Sequence, residues 1–519
     1  MLNRMAGSAY LSWRSLLGTC NKVYKSVAFQ AIFWFFVMYS SLLIFAIPIL
    51  ILFLYRSVLS LVLKVYYKDK YILASGPQAV YATIDSFANV LNITYFIYVD
   101  GRCDIETLRK TISTRILARD EKGKQPYGLL LKSTTQKFGF SCLSDKSKTI
   151  DFNEHVRFCP GADDPDRVYA EHEYLDAVSK LADNLWEESK PKWELLVTPQ
   201  VKREGSEEIS TAIAVKFQHL YVDGISLAQF VRNCIVDQPA PKLILDPVNP
   251  RFPPLPLYKK ILLGLQVFFM GPYISLRLFG NDYDPVFSEG PLTGGNKLIG
   301  RTKMNISLEM MRRIRKFHNC TTQAVLNSAF IGSFQKMAKR KDIKLPDEAI
   351  GATMLASFPY PDEYTNNNTS FAYEPLPINN NNPLGRLAEM EMCMKAIRNR
   401  TYALNASLIL LELLGMYPTA LIRQSTNFFK TAYYVSNVPG VQGSLTIDGK
   451  NVWLIFGVGP LLNRIRYHSG VSVYRGTFQI SLYIERSKII SNREELEEWI
   501  EEYEKEIQLL DAGVRAKSV

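Results

Sequence analysis

Residues 210–224 read STAIAVKFQHLYVDG. Ile213, Val215 and Phe217 alternate onto one face, the period-2 mark of a strand with one buried side. The alternation stops at Gln218-His219, the turn Leu220-Tyr221-Val222 leads to Asp223-Gly224, and residues 225–236 read as a helix. An imidazole with an ordinary pKa of about 6.5 can take a proton from an alcohol at neutral pH. An aspartate four residues on can stiffen the loop, usually by pairing with an arginine, and glycine permits a backbone turn that a side chain would obstruct. On these residues alone His219 is open to two readings, a general base or a core histidine at a strand end.

Working outward, WELLVTPQV (193–201) and YFIYVDG (95–101) read as further strands. Asp104 opens a helix that carries Ile105, Leu108, Ile112 and Ile116 on one face, and a second helix near 174–188 has Leu175, Val178, Leu181 and Leu185 in phase. Downstream, residues 238–256 hold seven prolines, which predicts an extended crossover. The apolar stretch 255–280 is interrupted by Lys259, Lys260 and Arg277, and fits either a helix in the membrane interface or a buried one. The second half repeats the mixture, with helices expected at 308–317, 322–338 and 385–403 and strands at 349–358, 429–436, 452–458 and 478–485. A final helix starts at a capping-box pattern, Ser491-Asn-Arg-Glu494, and its many charges read as a solvated face. Alternating strands and helices in both halves predict two α/β layers of related architecture.

Residues 28–55 contain no charge, and a run of at least about 20 apolar residues is the length that spans a bilayer. Pro48 and further apolar residues to Tyr67 leave room for a kinked helix or a hairpin. Arg4, Arg14, Lys22 and Lys25 precede the segment and Arg56, Lys64, Lys68 and Lys70 follow it, so basic flanks do not choose an orientation. The 519-residue chain is 47% apolar and 21% charged, ordinary for a globular protein, with a formal net charge of +11. No zinc finger, RNP-like motif or compact basic tract accompanies that charge, which argues against nucleic acid and for anionic lipid or a phosphate-bearing ligand. The seven cysteines are scattered without a CxxC pair, which argues against a disulfide framework and a zinc site and for reduced thiols facing the cytosol. No GxSxG elbow suggests a serine nucleophile.

Several segments carry a resemblance in the same order along the chain. QHLYVDG (218–224) resembles the HHxxxDG motif of the wax ester synthase/diacylglycerol acyltransferase family, part of the chloramphenicol-acetyltransferase-like superfamily. NEHV (153–156) and PKWE (191–194) look like that family's HV and PLWE segments. NTSFAYEPLP (368–377), followed by PLGRL (383–387), is similar to its GN…LP…DP..RL pattern, and SNVPG (436–440) matches its motif of that sequence. Three segments depart from the pattern: Gln218 stands at the first histidine, Gln323-Ala324 replaces an Asn-Asp pair, and Lys192 replaces the leucine of PLWE.

The resemblance implies an α/β fold of two chloramphenicol-acetyltransferase-like subdomains with mixed sheets, flanking helices and a tunnel between them. Together with the apolar and proline-rich segments, it divides the chain into a cytosolic basic N-terminus (1–27), a membrane helix or hairpin (28–67), a first subdomain (75–237), a crossover linker holding the stretch open to an interfacial helix (238–300) and a second subdomain (301–519). It implies direct transfer of a long-chain acyl group from acyl-CoA to a fatty alcohol or diacylglycerol. His219 would be the base, Asp223 its structural support and Gly224 the turn. Gln218, Asn437, Trp193 and His155 would lie at the substrate, with Asn437 near the oxyanion. Acyl-CoA enters as substrate, with no metal and no other cofactor. The implied setting is the endoplasmic reticulum membrane or a lipid droplet, with the catalytic part facing the cytosol. A catalytically impaired lipid-binding, lipid-transfer or scaffold protein is the competing expectation, motivated by the departures at Gln218 and Gln323-Ala324.

Overall fold

The computed structural model describes residues 27–68, 70–74, 76–84, 91–162, 164, 167–182, 186–238, 256–279, 287, 296–356, 365, 367–399, 401–426, 431–438, 440, 443–461 and 465–515. Most of the proline-rich crossover lies outside these residues.

Among the described residues the first sheet has seven strands. Its path runs Thr446–Ile447, Lys450–Val458, Asn92–Asp100, Ile209–Gln218, Trp193–Lys202, Val156–Phe158, with Tyr169–Ala170 also paired to Trp193–Lys202. The three long central strands are antiparallel and buried on both sides, so Ile209–Gln218 buries Thr211 and Lys216 as well as the alternating Ile213, Val215 and Phe217, where one buried side was expected. One face packs on the helix Ile105–Leu117, whose Ile105, Leu108, Ile112 and Ile116 are all buried. Asp104 caps that helix through the amides of Glu106 and Thr107. The other face packs on Glu171–Ala182.

The second sheet also has seven strands. Its path is Ile306–Ser307, Thr477–Glu485, Tyr467–Tyr474, Tyr434–Asn437, Ala349–Ala356, Thr369–Leu376, with Lys297–Arg301 paired to Thr477–Glu485. The sheet is mixed, because Tyr434–Asn437 runs parallel to both of its neighbours. Helices Leu308–His318, Thr322–Arg340, Pro383–Asn399 and Arg493–Arg515 cover one face. The architecture is the expected pair of α/β halves. The halves do not divide at one point in the sequence, because Lys450–Val458 leaves the second half to pair with Asn92–Asp100 of the first. It then passes so close to the second sheet that a Cβ on Gly470 would collide with the Gly457 carbonyl.

The charges of the last helix correct the expectation of a solvated face. Leu496, Trp499, Tyr503 and Ile507 form its buried stripe, but Glu502, Glu506 and Asp511 are also buried. Glu506 pairs with Arg386, Glu502 with Lys336 and Arg340, and Asp511 with Arg313. The N-terminal signal was offset by one residue. Asn492 accepts from the Glu495 amide at 2.9 Å while the Glu495 carboxylate accepts from the Ser491 amide at 2.7 Å.

The N-terminal apolar segment forms Val27–Ile44 and Ala46–Val65. Phe45 N–H donates to Ser41 O at 2.8 Å and Ile49 N–H to Phe45 O at 2.9 Å, so the helical ladder continues through the junction and there is no hairpin. The interruption falls where Pro48 lacks an N–H. By length and composition Ala46–Val65 could cross a bilayer. Its C-terminal end is docked on the protein. Leu59 and Leu63 are buried against Phe140 and Cys142 of a three-stranded sheet formed by Tyr71–Leu73, Phe140–Asp145 and Lys132–Lys137. Arg56 donates to Ala74 O at 2.8 Å and lies over the Phe140 ring.

Candidate active site

Strand Ile209–Gln218 ends where its pairing does. Gln218 is the last residue in register with Asn92, and the next amide, His219 N–H, still donates to Leu91 O at 2.7 Å. His219 is therefore held by the sheet but has left its pleat, and it is buried. The Asn367 carboxamide donates to its carbonyl. The Tyr81 ring lies over the imidazole, with centroids 4.9 Å apart. Nδ1 has no hydrogen-bond partner among the described residues. Burial lowers the pKa of this histidine below its ordinary 6.5, while Asp223, the residue's own backbone and the Asn367 carboxamide pull it back up. The imidazole is consequently neutral at physiological pH and in reach of groups that favour its charged form.

Asp223 accepts from Ile225 N–H (3.0 Å) and Ser226 N–H (2.9 Å), capping the short helix Gly224–Phe230. Its second oxygen accepts from Asn368 N–H at 3.0 Å. All three of these bonds come from backbone amides. The Asn368 contact ties the first half to the second, because residue 368 enters strand Thr369–Leu376 of the second sheet. Gly224 differs from expectation. It begins the helix without a left-handed φ, and glycine is required because a Cβ there would lie 2.6 Å from Val438 Cγ2. The 218–224 and 436–440 segments therefore meet directly, with Val438 set against the first core.

Asn437 ends its strand exposed, two residues beyond buried Val435. Gln218 donates from Nε2 to Tyr81 O at 3.2 Å, so it holds the helix Gly76–Ile84 whose Tyr81 covers His219. Trp193 and His155 are both buried and lie against each other. Their rings stack at 4.3 Å inside the first core, Trp193 donates to Leu130 O at 2.8 Å, and His155 Nδ1 lies 2.6 Å from Trp193 O. Burial lowers the His155 pKa.

The sequence reading missed three residues at His219. Asn367 and Asn368 were not singled out, although Asn368 opens the segment that carried the resemblance. Tyr81 left no signal, since neither periodicity nor a motif marks it.

The second departure lies in a buried network. Gln323 donates to Asn327 (2.9 Å), which donates to Glu374 (2.6 Å), and Thr353 donates to the same carboxyl at 3.2 Å. Burial pushes the Glu374 pKa up to about 8, so this carboxyl is protonated at neutrality. The inner face of the second sheet presents Phe371, Tyr373, Met354 and Tyr434, an apolar cluster on the side away from the helices. A separate cleft of about 650 Å³ lies beside Glu171, Arg301 and Arg493. Its arginines are already paired, Arg301 with Glu171 and Arg493 with Asp176, so it is no preformed anion site. No cluster among the described residues could hold a metal ion.

Asp223→Asn is expected to keep the fold and lower kcat by about ten- to a hundredfold. It sets an amide donor against one of three N–H donors and removes a charge-assisted bond of about 1.5–3 kcal/mol. Because Asp223 raises the His219 pKa, the acid limb of the kcat/KM profile should also move to lower pH. A purely structural role would leave that limb in place.

The two mixed-sheet α/β halves thus meet over a buried histidine. Residues 365–508 match the family model described as the WS/DGAT C-terminal domain. No curated protein sequence matches the chain. Among solved structures, the wax ester synthase/diacylglycerol acyltransferase from Marinobacter aquaeolei VT8 is similar at 14% identity and TM-score 0.53, over 82% of this chain and 95% of that one. The TRI3 trichothecene 15-O-acetyltransferase from Fusarium sporotrichioides is similar at 10% identity and TM-score 0.54, over 85% and 95%. The first condensation domain of the CDA synthetase gives 10% identity and TM-score 0.53, over 85% and 96%. At these identities the likeness is one of fold.

Proposed function

We propose that the protein is a membrane-bound O-acyltransferase that moves a long-chain acyl group from acyl-CoA to a fatty alcohol or diacylglycerol. The observation that carries this reading is the buried His219, kept neutral by burial and set among Asp223, Asn367 and Tyr81 where the two halves meet. The imidazole takes the acceptor's hydroxyl proton as its oxygen attacks the thioester carbon. The thioester oxygen becomes an oxyanion, for which the Asn437 region supplies donors. The intermediate collapses, the carbon–sulfur bond breaks, and the imidazolium returns its proton to the CoA thiolate. The Tyr81 ring face and the Asp223 carboxylate favour the transient imidazolium. The chain uses no covalent acyl-enzyme, and acyl-CoA is its substrate with no metal or further cofactor.

The helix Ala46–Val65 supports a membrane location, and the unbonded described cysteines suit a catalytic part facing the cytosol, at the endoplasmic reticulum or a lipid droplet. The departures at Gln218 and Gln323-Ala324 favour the second reading, a lipid-binding or scaffold protein without activity. Gln218, however, positions Tyr81 through a bond that needs no titrating proton. Expression in cells lacking background acyltransferases, followed by lipid analysis, tests both readings. Wax ester or triacylglycerol should accumulate. A lipid profile identical to that of cells expressing His219→Ala overturns the enzyme.

A further inference from the structure

Helix Leu257–Phe279 packs against Val27–Ile44, and helix Thr401–Leu414 packs against Leu257–Phe279. The first contact is aromatic. Phe35 stacks on Phe269 at 5.3 Å, Tyr39 lies 4.7 Å from Phe268, and the Tyr39 hydroxyl donates to Phe268 O at 2.9 Å. Segments more than 350 residues apart thus build one face. Its outward side chains are apolar: Phe36, Leu43 and Ile44 on the first helix, Ile261, Leu265 and Phe269 on the second, and Ile409 (48% exposed) and Leu413 (47%) on the third. The charged residues of Leu257–Phe279 fall toward its ends in the sequence, Lys259 and Lys260 near the start and Arg277 near the close. The single charge of Thr401–Leu414, Glu412, lies over Gly76. Soluble proteins rarely expose an apolar patch beyond a few hundred Å². This face is continuous with the helix that could cross a bilayer, so lipid is the occupant it fits.

The same face reaches the candidate site. Helix Gly76–Ile84 packs on Thr401–Leu414 and on Thr419–Thr426. A Cβ on Gly415 would collide with the Gly76 carbonyl, so the two backbones touch. The helix then carries Tyr81 onto His219. We propose that Leu257–Phe279 and Thr401–Leu414 are embedded in the bilayer beside the N-terminal helix, and that this three-helix face delivers the acceptor lipid to His219 along helix Gly76–Ile84. The delivery step rests on the acyltransferase reading, and the embedding does not.

The full chain in phosphatidylcholine vesicles containing diacylglycerol with a photoreactive acyl chain tests the embedding. Lipid adducts are expected on peptides from all three segments. Adducts confined to 27–65, or protein–protein adducts in place of lipid adducts on the other two, overturn it. The delivery step is tested with Ile409→Lys combined with Leu413→Lys, which leaves the anchor and His219 untouched. Acylation of vesicle diacylglycerol should fall about tenfold, as two apolar membrane contacts are lost, while acylation of a short soluble alcohol stays within about twofold of wild type. Equal loss on both acceptors, or no loss on either, overturns delivery. A wild-type chain that acylates neither acceptor sinks the acyltransferase reading and delivery with it, while the adduct map still decides the embedding.

Discussion

His219→Ala should lower kcat/KM for acyl transfer by about 10²–10⁴-fold, the usual contribution of a positioned general base. The purified variant and wild type, compared with radiolabelled acyl-CoA and several alcohols, measure it. Equal rates would end the catalytic assignment. Membrane association and unfolding temperature should barely move, because the contacts that fix this loop are made by backbone: His219 N–H to Leu91 O, and the Asn367 carboxamide to His219 O. The pH profile supplies the sign. The base works as neutral imidazole, and burial holds its pKa below 6.5. Activity should therefore be flat through neutrality and fall only on the acid side, below the pH where an exposed histidine would titrate. A fall centred at or above 6.5 would mean that the group is solvated or is not the base.

Arg386→Ala should be the most destabilising single change, by about 3–5 kcal/mol, because it leaves a buried carboxylate without its main partner. The Arg386 and Glu506 side chains are 1% and 3% exposed. The guanidinium also donates to Ser328 O at 2.9 Å, Gln335 Oε1 at 2.9 Å and Asn380 O at 3.0 Å, so it joins three helices and a loop. Gly332 leaves the space it needs. Thermal unfolding of the detergent-solubilised protein measures the loss. Pairing Arg386→Met with Glu506→Leu should recover most of it, since an apolar pair of similar volume removes both desolvation costs. A double variant no more stable than Arg386→Ala would show that the backbone contacts, and not the ion pair, hold the helices.

Much of the architecture was legible because its signals were local. The Asp104 cap, the stripe from Ile105 to Ile116, and the strand with Ile213, Val215 and Phe217 needed no tertiary knowledge. What escaped was set by distant partners. Strand Tyr467–Tyr474 reads YHSGVSVY, and its His468, Gly470 and Ser472 interrupt the apolar pattern. Those residues face the other half, where Gly470 meets Gly457 and Ser472 donates to Ile455 O at 3.2 Å. The helix expected over 385–403 is described as Pro383–Asn399, and the apolar helix Thr401–Leu414 beyond it had no counterpart in the expected elements. At the candidate site the sequence marked the strand end and Asp223, but the carboxylate's tie to Asn368 depends on how the two halves are apposed. Trp193 and His155 carried a family pattern, and their stacking inside the core could not be read from spacing alone.

The strand exchange also has a consequence for biosynthesis. Asn92–Asp100 leaves the ribosome early, but the strand that covers its outer edge, Lys450–Val458, is among the last parts made. At about 5–20 residues per second, translation leaves that edge uncovered for some tens of seconds. Throughout that interval a row of unpaired amides and carbonyls, flanked by Phe96 and Tyr98, is a template for aggregation. The nascent chain thus depends on a chaperone or on its own later residues, and premature termination before residue 450 yields a product with an open sheet, not a smaller working half.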